Sequence, residues 1–155
     1  MIIILLILHG LLAVALLGAV THQALSTRRL KPNGDRDSFM SRYRSVHDGA
    51  FQYAIVILFI LTCIGGGFLY PQYRTVVRPS LEERQMNVAN GVFEIKEHLA
   101  AIGLGILPAY LMYWRRPLLP EYAAARRGLT WILAFVTWWS FLVGHVLNNI
   151  RGLVP

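Results

Sequence analysis

Residues 2–24, 50–70, 91–114 and 129–150 form four separate apolar runs. Each is close to the ~20 residues that an α-helix needs to cross a hydrocarbon core, and a soluble domain of this size has no use for four of them. With 55% of its 155 residues hydrophobic and only 15% charged, the chain reads as an all-α integral membrane protein. The expected architecture is a four-transmembrane-helix antiparallel bundle, one domain over residues 1–155. The connections leave no room for a nucleotide or flavin domain, so an independent enzyme is not expected.

The formal charge of +7 follows no groove-reading motif, which argues against a nucleic-acid partner. The basic residues follow membrane topology instead. Arg28, Arg29, Lys31, Arg36, Arg42 and Arg44 lie between the first two runs, and Arg115, Arg116, Arg126 and Arg127 between the last two. The opposite side holds Arg74, Arg78, Arg84, Lys96 and Arg151. Because Lys and Arg stay on the cytoplasmic side, both termini are predicted outside, on the periplasmic face of a bacterial inner membrane. The first and third connections then touch anionic lipid or a partner subunit in the cytoplasm.

The single cysteine, Cys63, excludes an internal disulfide and any CxxC redox or zinc motif. The opening run lacks a positive n-region and is too long for a typical signal h-region, so it is read as the first membrane helix. A turn is expected at Pro32-Asn33-Gly34 and a short interfacial helix over residues 38–47. The second run ends in Gly65-Gly66-Gly67 and Tyr70-Pro71, a stretch that permits close helix packing or makes room for a bulky ligand. Beyond it, Ser80 to Glu83 reads as the start of a short helix.

The third run is the one that invites a functional reading, because it carries Glu94, Glu97 and His98. Ionisable groups at membrane depth are costly and usually face the protein interior. At 100° per residue Glu94, His98, Ala101, Gly105, Pro108 and Met112 share one side, which predicts that this stripe faces the other helices. Pro108 should kink the helix, with Gly103 and Gly105 allowing close approach. In the fourth run Trp131, Ala134, Trp138, Phe141 and His145 fall roughly on a second stripe, able to line a planar cofactor or simply to pack.

Depth joins these scattered residues. His9 lies seven residues past Ile2, His98 seven past Gly91, and His145 five before Ile150. At 1.5 Å rise per residue each sits roughly 8 to 11 Å below the outer edge. Three histidines on three spans thus share a layer, with Glu94 and Glu97 just above it and Arg74 and Arg78 at its rim.

Four readings fit such a layer. A b-type haem needs two facing imidazoles, an apolar slot and surface groups for its propionates. The diagonal pair His9 and His98 would ligate, with His145 in support, Trp138 in the slot, and Tyr73, Arg74 and Arg78 on the propionates. A bare transition-metal ion, zinc, copper or iron, would use His9, His98, His145 and Glu94. Proton or quinone chemistry would run through Glu94, Glu97 and His98. The fourth reading is structural, with polar groups bonding across helices in a subunit that needs no cofactor. At the inner end His22 and His47 form a second candidate pair, for another haem or a quinone head group.

In plan, with short loops, no soluble domain and histidines at matched depths, the chain resembles the small four-helix cytochrome b subunits that anchor membrane respiratory enzymes. The resemblance covers the architecture of the whole chain and no diagnostic motif. It implies haem b, electron transfer, and partner subunits in a larger redox complex. Such cytochromes often carry two histidines 13 or 14 residues apart on one helix. His9 and His22 have that separation, but it rotates them about 140° from each other.

Overall fold

A computed structural model describes residues 2–27, 51–115 and 118–152. Helix α1 spans Ile2–Ser26, α2 Phe51–Gln72, α3 Arg78–Glu83, α4 Asn87–Trp114 and α5 Ala123–Gly152. A π-helical turn, Tyr73–Val77, joins α2 to α3, and a 3-10 turn, Pro120–Tyr122, leads into α5. Among the described residues there is no strand. Among the described residues four helical stretches, Ile2–Ser26, Phe51–Glu83, Asn87–Trp114 and Pro120–Asn149, are long and apolar enough to cross a membrane. The all-α four-helix bundle expected from the sequence is therefore the fold. The turn at Pro32-Asn33-Gly34, the helix over 38–47 and His47 lie outside the described residues.

The second span runs further than its sequence suggests. Pro71 sits inside α2, and the residue four before it is Gly67, where the missing side chain gives the helix freedom to bend away from the pyrrolidine ring. Two turns later Pro79 poses the same problem to the carbonyl of Thr75. The wide turn at Tyr73–Val77, in which the Arg78 N–H donates to the Tyr73 carbonyl, comes just before it and relaxes that crowding. The Thr75 hydroxyl donates to the Pro71 carbonyl over 2.9 Å. Ser80 to Glu83 consequently close this helical stretch rather than opening a new one.

The stretch stops in a Schellman turn. Gln85 N–H donates to the Glu82 carbonyl (3.0 Å) and Met86 N–H to the Leu81 carbonyl (2.8 Å), while Gln85 itself takes φ 57°. That left-handed position favours glycine. Gln85→Gly is expected to raise stability by about 0.5–1 kcal/mol, seen as a higher thermal midpoint in detergent with unchanged helix content.

Around the bundle, α1 packs on α2 and α5, α4 packs on α5, and the α2–α4 seam is lighter. This leaves α1 and α4 diagonal. The core lies toward the end that holds Ser26, Phe51 and Trp114, termed here the basic end. It is built from Leu16, Val20 and Ala24 of α1, Ile55 and Phe59 of α2, Leu107, Tyr110 and Trp114 of α4, and Leu133, Ala134 and Val136 of α5. At Gly103 the Phe59 ring and Val136 fill the place a side chain would take, so glycine sets the approach of α4 to both neighbours. Gly105 has nothing within 4 Å of such a position.

Polar groups tie this core together. The Tyr110 hydroxyl donates to Gln23 Oε1 across the diagonal, and both residues are fully buried. Trp114 Nε1 donates to Thr130 Oγ1 (3.0 Å), which donates in turn to the Arg126 carbonyl (2.7 Å). Trp138 Nε1 donates to Thr21 Oγ1 over 2.9 Å. At membrane depth, where water is scarce, such bonds satisfy groups that would otherwise be costly.

Candidate functional site

The three histidines keep similar heights in the bundle. His9 is 14 residues above Gln23, and His98 is 12 above Tyr110, the residue bonded to Gln23. His145 is 15 residues above Thr130, which is bonded to Trp114 one turn below Tyr110. At 1.5 Å per residue their backbones fall within roughly 5 Å of one level. Their rings do not meet.

His9 turns toward α2. A Cβ at Gly65 would lie 3.1 Å from His9 Nδ1, and one at Gly66 3.5 Å from its Cε1. The two glycines therefore cradle the imidazole, which is the role of close packing rather than of room for a ligand. Nδ1 is buried without a well-formed hydrogen bond, the Thr62 carbonyl being the backbone group that acts on the ring. The Lys96 ammonium, 4.1 Å over the Phe93 ring, stands near both this ring and Cys63.

His98 turns away from the bundle and is exposed. Its Nδ1 lies 2.7 Å from the Glu94 carbonyl. A carbonyl can only accept, so Nδ1 carries the proton and Nε2 of the neutral ring is left as an outward lone pair. His145 is also exposed. Its Nε2 takes the Asn149 amide at 3.1 Å, and its ring lies parallel to Phe141 with centroids 6.1 Å apart.

The expectation that the stripe of Glu94, His98, Ala101, Gly105, Pro108 and Met112 faces the other helices is overturned: all six are exposed. The buried face of α4 is the opposite one, Gly103, Leu107, Tyr110 and Trp114. Two large aromatics with satisfied polar tips and one glycine under Phe59 bury far more apolar contact than the polar stripe can, and that decides the helix rotation.

With that rotation the diagonal pair His9 and His98 is not formed. The four-ligand set of His9, Glu94, His98 and His145 is not assembled either, and among the described residues no group of three or more His, Cys, Asp or Glu can hold a metal ion. Trp138 points its indole nitrogen to Thr21 of α1 rather than into a slot between histidines. At the rim, Arg74 Nη1 donates to the Tyr70 hydroxyl (3.1 Å). Arg78 joins Glu82 (2.8 Å) and Glu94 (3.4 Å), which sets one cation beside the His98 turn. Tyr73 stacks on Phe93 with centroids 3.6 Å apart, and its hydroxyl donates to Asn90 Oδ1 over 3.0 Å. At the basic end the His22 ring packs 4.9 Å from Phe51; its candidate partner His47 lies outside the described residues.

Two features escaped the sequence. Gln23 and Tyr110 form the one diagonal bond described above, and the available signal was a glutamine at the end of an otherwise aliphatic run. Tyr53, Pro108, Leu111, Met112 and Arg115 line a groove of about 440 Å³ along the α2–α4 seam at the basic end. Pro108, in the last third of α4, was its only sequence trace.

Compared with protein-family models, curated proteins and solved structures, the chain matches none.

Proposed function

We propose that this chain is an assembly subunit of a larger membrane complex, docking another membrane helix on the outward stripe of α4. One observation carries the reading: Glu94, His98, Ala101 and Gly105 are exposed on the face opposite the core. In lipid a carboxylate and an imidazole on one helix face are costly, while beside a partner helix they supply interhelical hydrogen bonds. Ala101 and Gly105, four residues apart, give that helix close backbone approach. The excess of basic residues in the first and third connections supports placing both termini outside, in a bacterial inner membrane.

Replacing Glu94 and His98 together by leucine tests this in native membranes. A mild-detergent extract should then show the tagged chain at the size of the free bundle, 17.5 kDa plus detergent, with its helix content kept. A complex of unchanged size overturns the proposal.

A b-type haem electron-transfer subunit is the second reading, favoured by the His98 ring alone. An imidazole ligand commonly donates its other N–H to a carbonyl, as Nδ1 does here, and Arg78 beside Glu94 offers a cation for a propionate. Only one ligand would come from this chain, so the second would come from a partner; the haem would supply one-electron transfer. In the optical spectrum of the intact complex, this reading requires a b-type α-band that His98→Ala removes and His9→Ala leaves.

A further inference from the structure

The groove at the basic end of the α2–α4 seam is separate from the docking stripe's polar half, and its chemistry is amphiphilic. Leu111, Met112 and Pro108 form an apolar wall, while Tyr53 and Arg115 stand at the basic-end mouth. Tyr53 is the third residue of α2 and Arg115 follows the last residue of α4, so phenol and guanidinium share one end of the slot. The α2–α4 seam is the lightest of the four packed seams. Pro108 lacks the N–H that would bond the Leu104 carbonyl, which loosens α4 there.

From this placement we infer that the groove is a binding site for an anionic phospholipid, its acyl chain along Pro108, Leu111 and Met112 and its phosphate on Arg115 and the Tyr53 hydroxyl. Four arguments favour this occupant over others. The slot is lined by two neighbouring spans alone, with Tyr53, Pro108 and Met112 exposed, which suits a chain entering from the surrounding hydrocarbon. Its cation is at the headgroup end, and Arg126 and Arg127 at the start of α5 add positive charge at the same end of the bundle. Basic pockets between helices on the cytoplasmic side are the known setting for anionic headgroups, and the orientation proposed above puts Arg115 on that side. A guanidinium recognises phosphate through paired N–H donors, whereas a zwitterionic headgroup brings its own cation and gains less.

The test uses the full-length protein in detergent micelles, with native mass spectrometry after addition of phosphatidylglycerol or phosphatidylcholine at equal concentration. One phosphatidylglycerol should be retained at least tenfold more than phosphatidylcholine. Arg115→Gln should bring it down to the phosphatidylcholine level. Arg115 is an exposed residue at a helix end, so the thermal midpoint of this variant should stay at the wild-type value, and Tyr53→Phe should give an intermediate loss. Equal retention of the two lipids, or phosphatidylglycerol binding undiminished in Arg115→Gln, overturns the inference. So does a ubiquinone analogue that binds with one-to-one stoichiometry where phosphatidylglycerol does not.

Discussion

Replacing Gly103 by leucine is expected to destabilise the bundle more than the same change at any other glycine of the described spans. A Cβ there already collides with the Phe59 ring and presses on Val136 of α5, and both neighbours are almost fully buried. Both side chains are enclosed in the packed core, so relieving the overlap requires α4 to shift away from α2 and α5 together. Overpacking of this kind costs typically 1–3 kcal/mol and more where backbone must move; the upper end, about 3 kcal/mol, applies. The check is a thermal melt of the purified chain followed by circular dichroism. Gly103→Ala should fall by a smaller step. Adding Phe59→Leu to Gly103→Ala should recover part of the loss, because it vacates the colliding volume, and recovery separates steric overlap from a general weakening of α4.

Trp114→Ala is the second. The indole is 2% exposed, sits 6.3 Å from the Tyr110 ring and donates to Thr130. Truncating a buried tryptophan typically costs 3–5 kcal/mol through lost contacts and the cavity left behind. Trp114→Phe keeps much of the packing and removes only the donor. Its cost should be nearer ~0.6–1.7 kcal/mol, the range for a hydrogen bond between membrane helices. The Thr130 hydroxyl keeps its own acceptor, the Arg126 carbonyl, which limits the damage. Comparable losses for the two variants in the same melt would contradict the packing role assigned to the ring.

The four spans were legible because length and hydropathy against a fixed hydrocarbon thickness leave few choices. The rotation of α4 was not. Both of its faces carry a workable pattern: Glu94, His98, Ala101, Gly105, Pro108 and Met112 on one, Gly103, Leu107, Tyr110 and Trp114 on the other. The cost of ionisable groups in lipid pointed to the first as the interior, but that rule speaks only of what touches lipid. It is equally met when the polar face is covered by another chain. What settled the matter was contact area, since Tyr110 and Trp114 need a core and Gly103 needs Phe59 above it. The histidine layer was half legible for a related reason. Rise per residue fixes height, so His9, His98 and His145 do share a level; ring direction depends on neighbours such as Gly65 and Gly66 of α2, which no spacing within α1 reveals.

The docking role of α4 rests on what touches Ala101. A photoreactive amino acid placed at Ala101, at Gly105 and at Ile57, an exposed residue of α2, and irradiated in native membranes would read this contact without disturbing the core. Cross-links to one discrete protein band at Ala101 and Gly105, with only lipid adducts at Ile57, are the expected result. Lipid adducts at all three positions would contradict the docking role of α4.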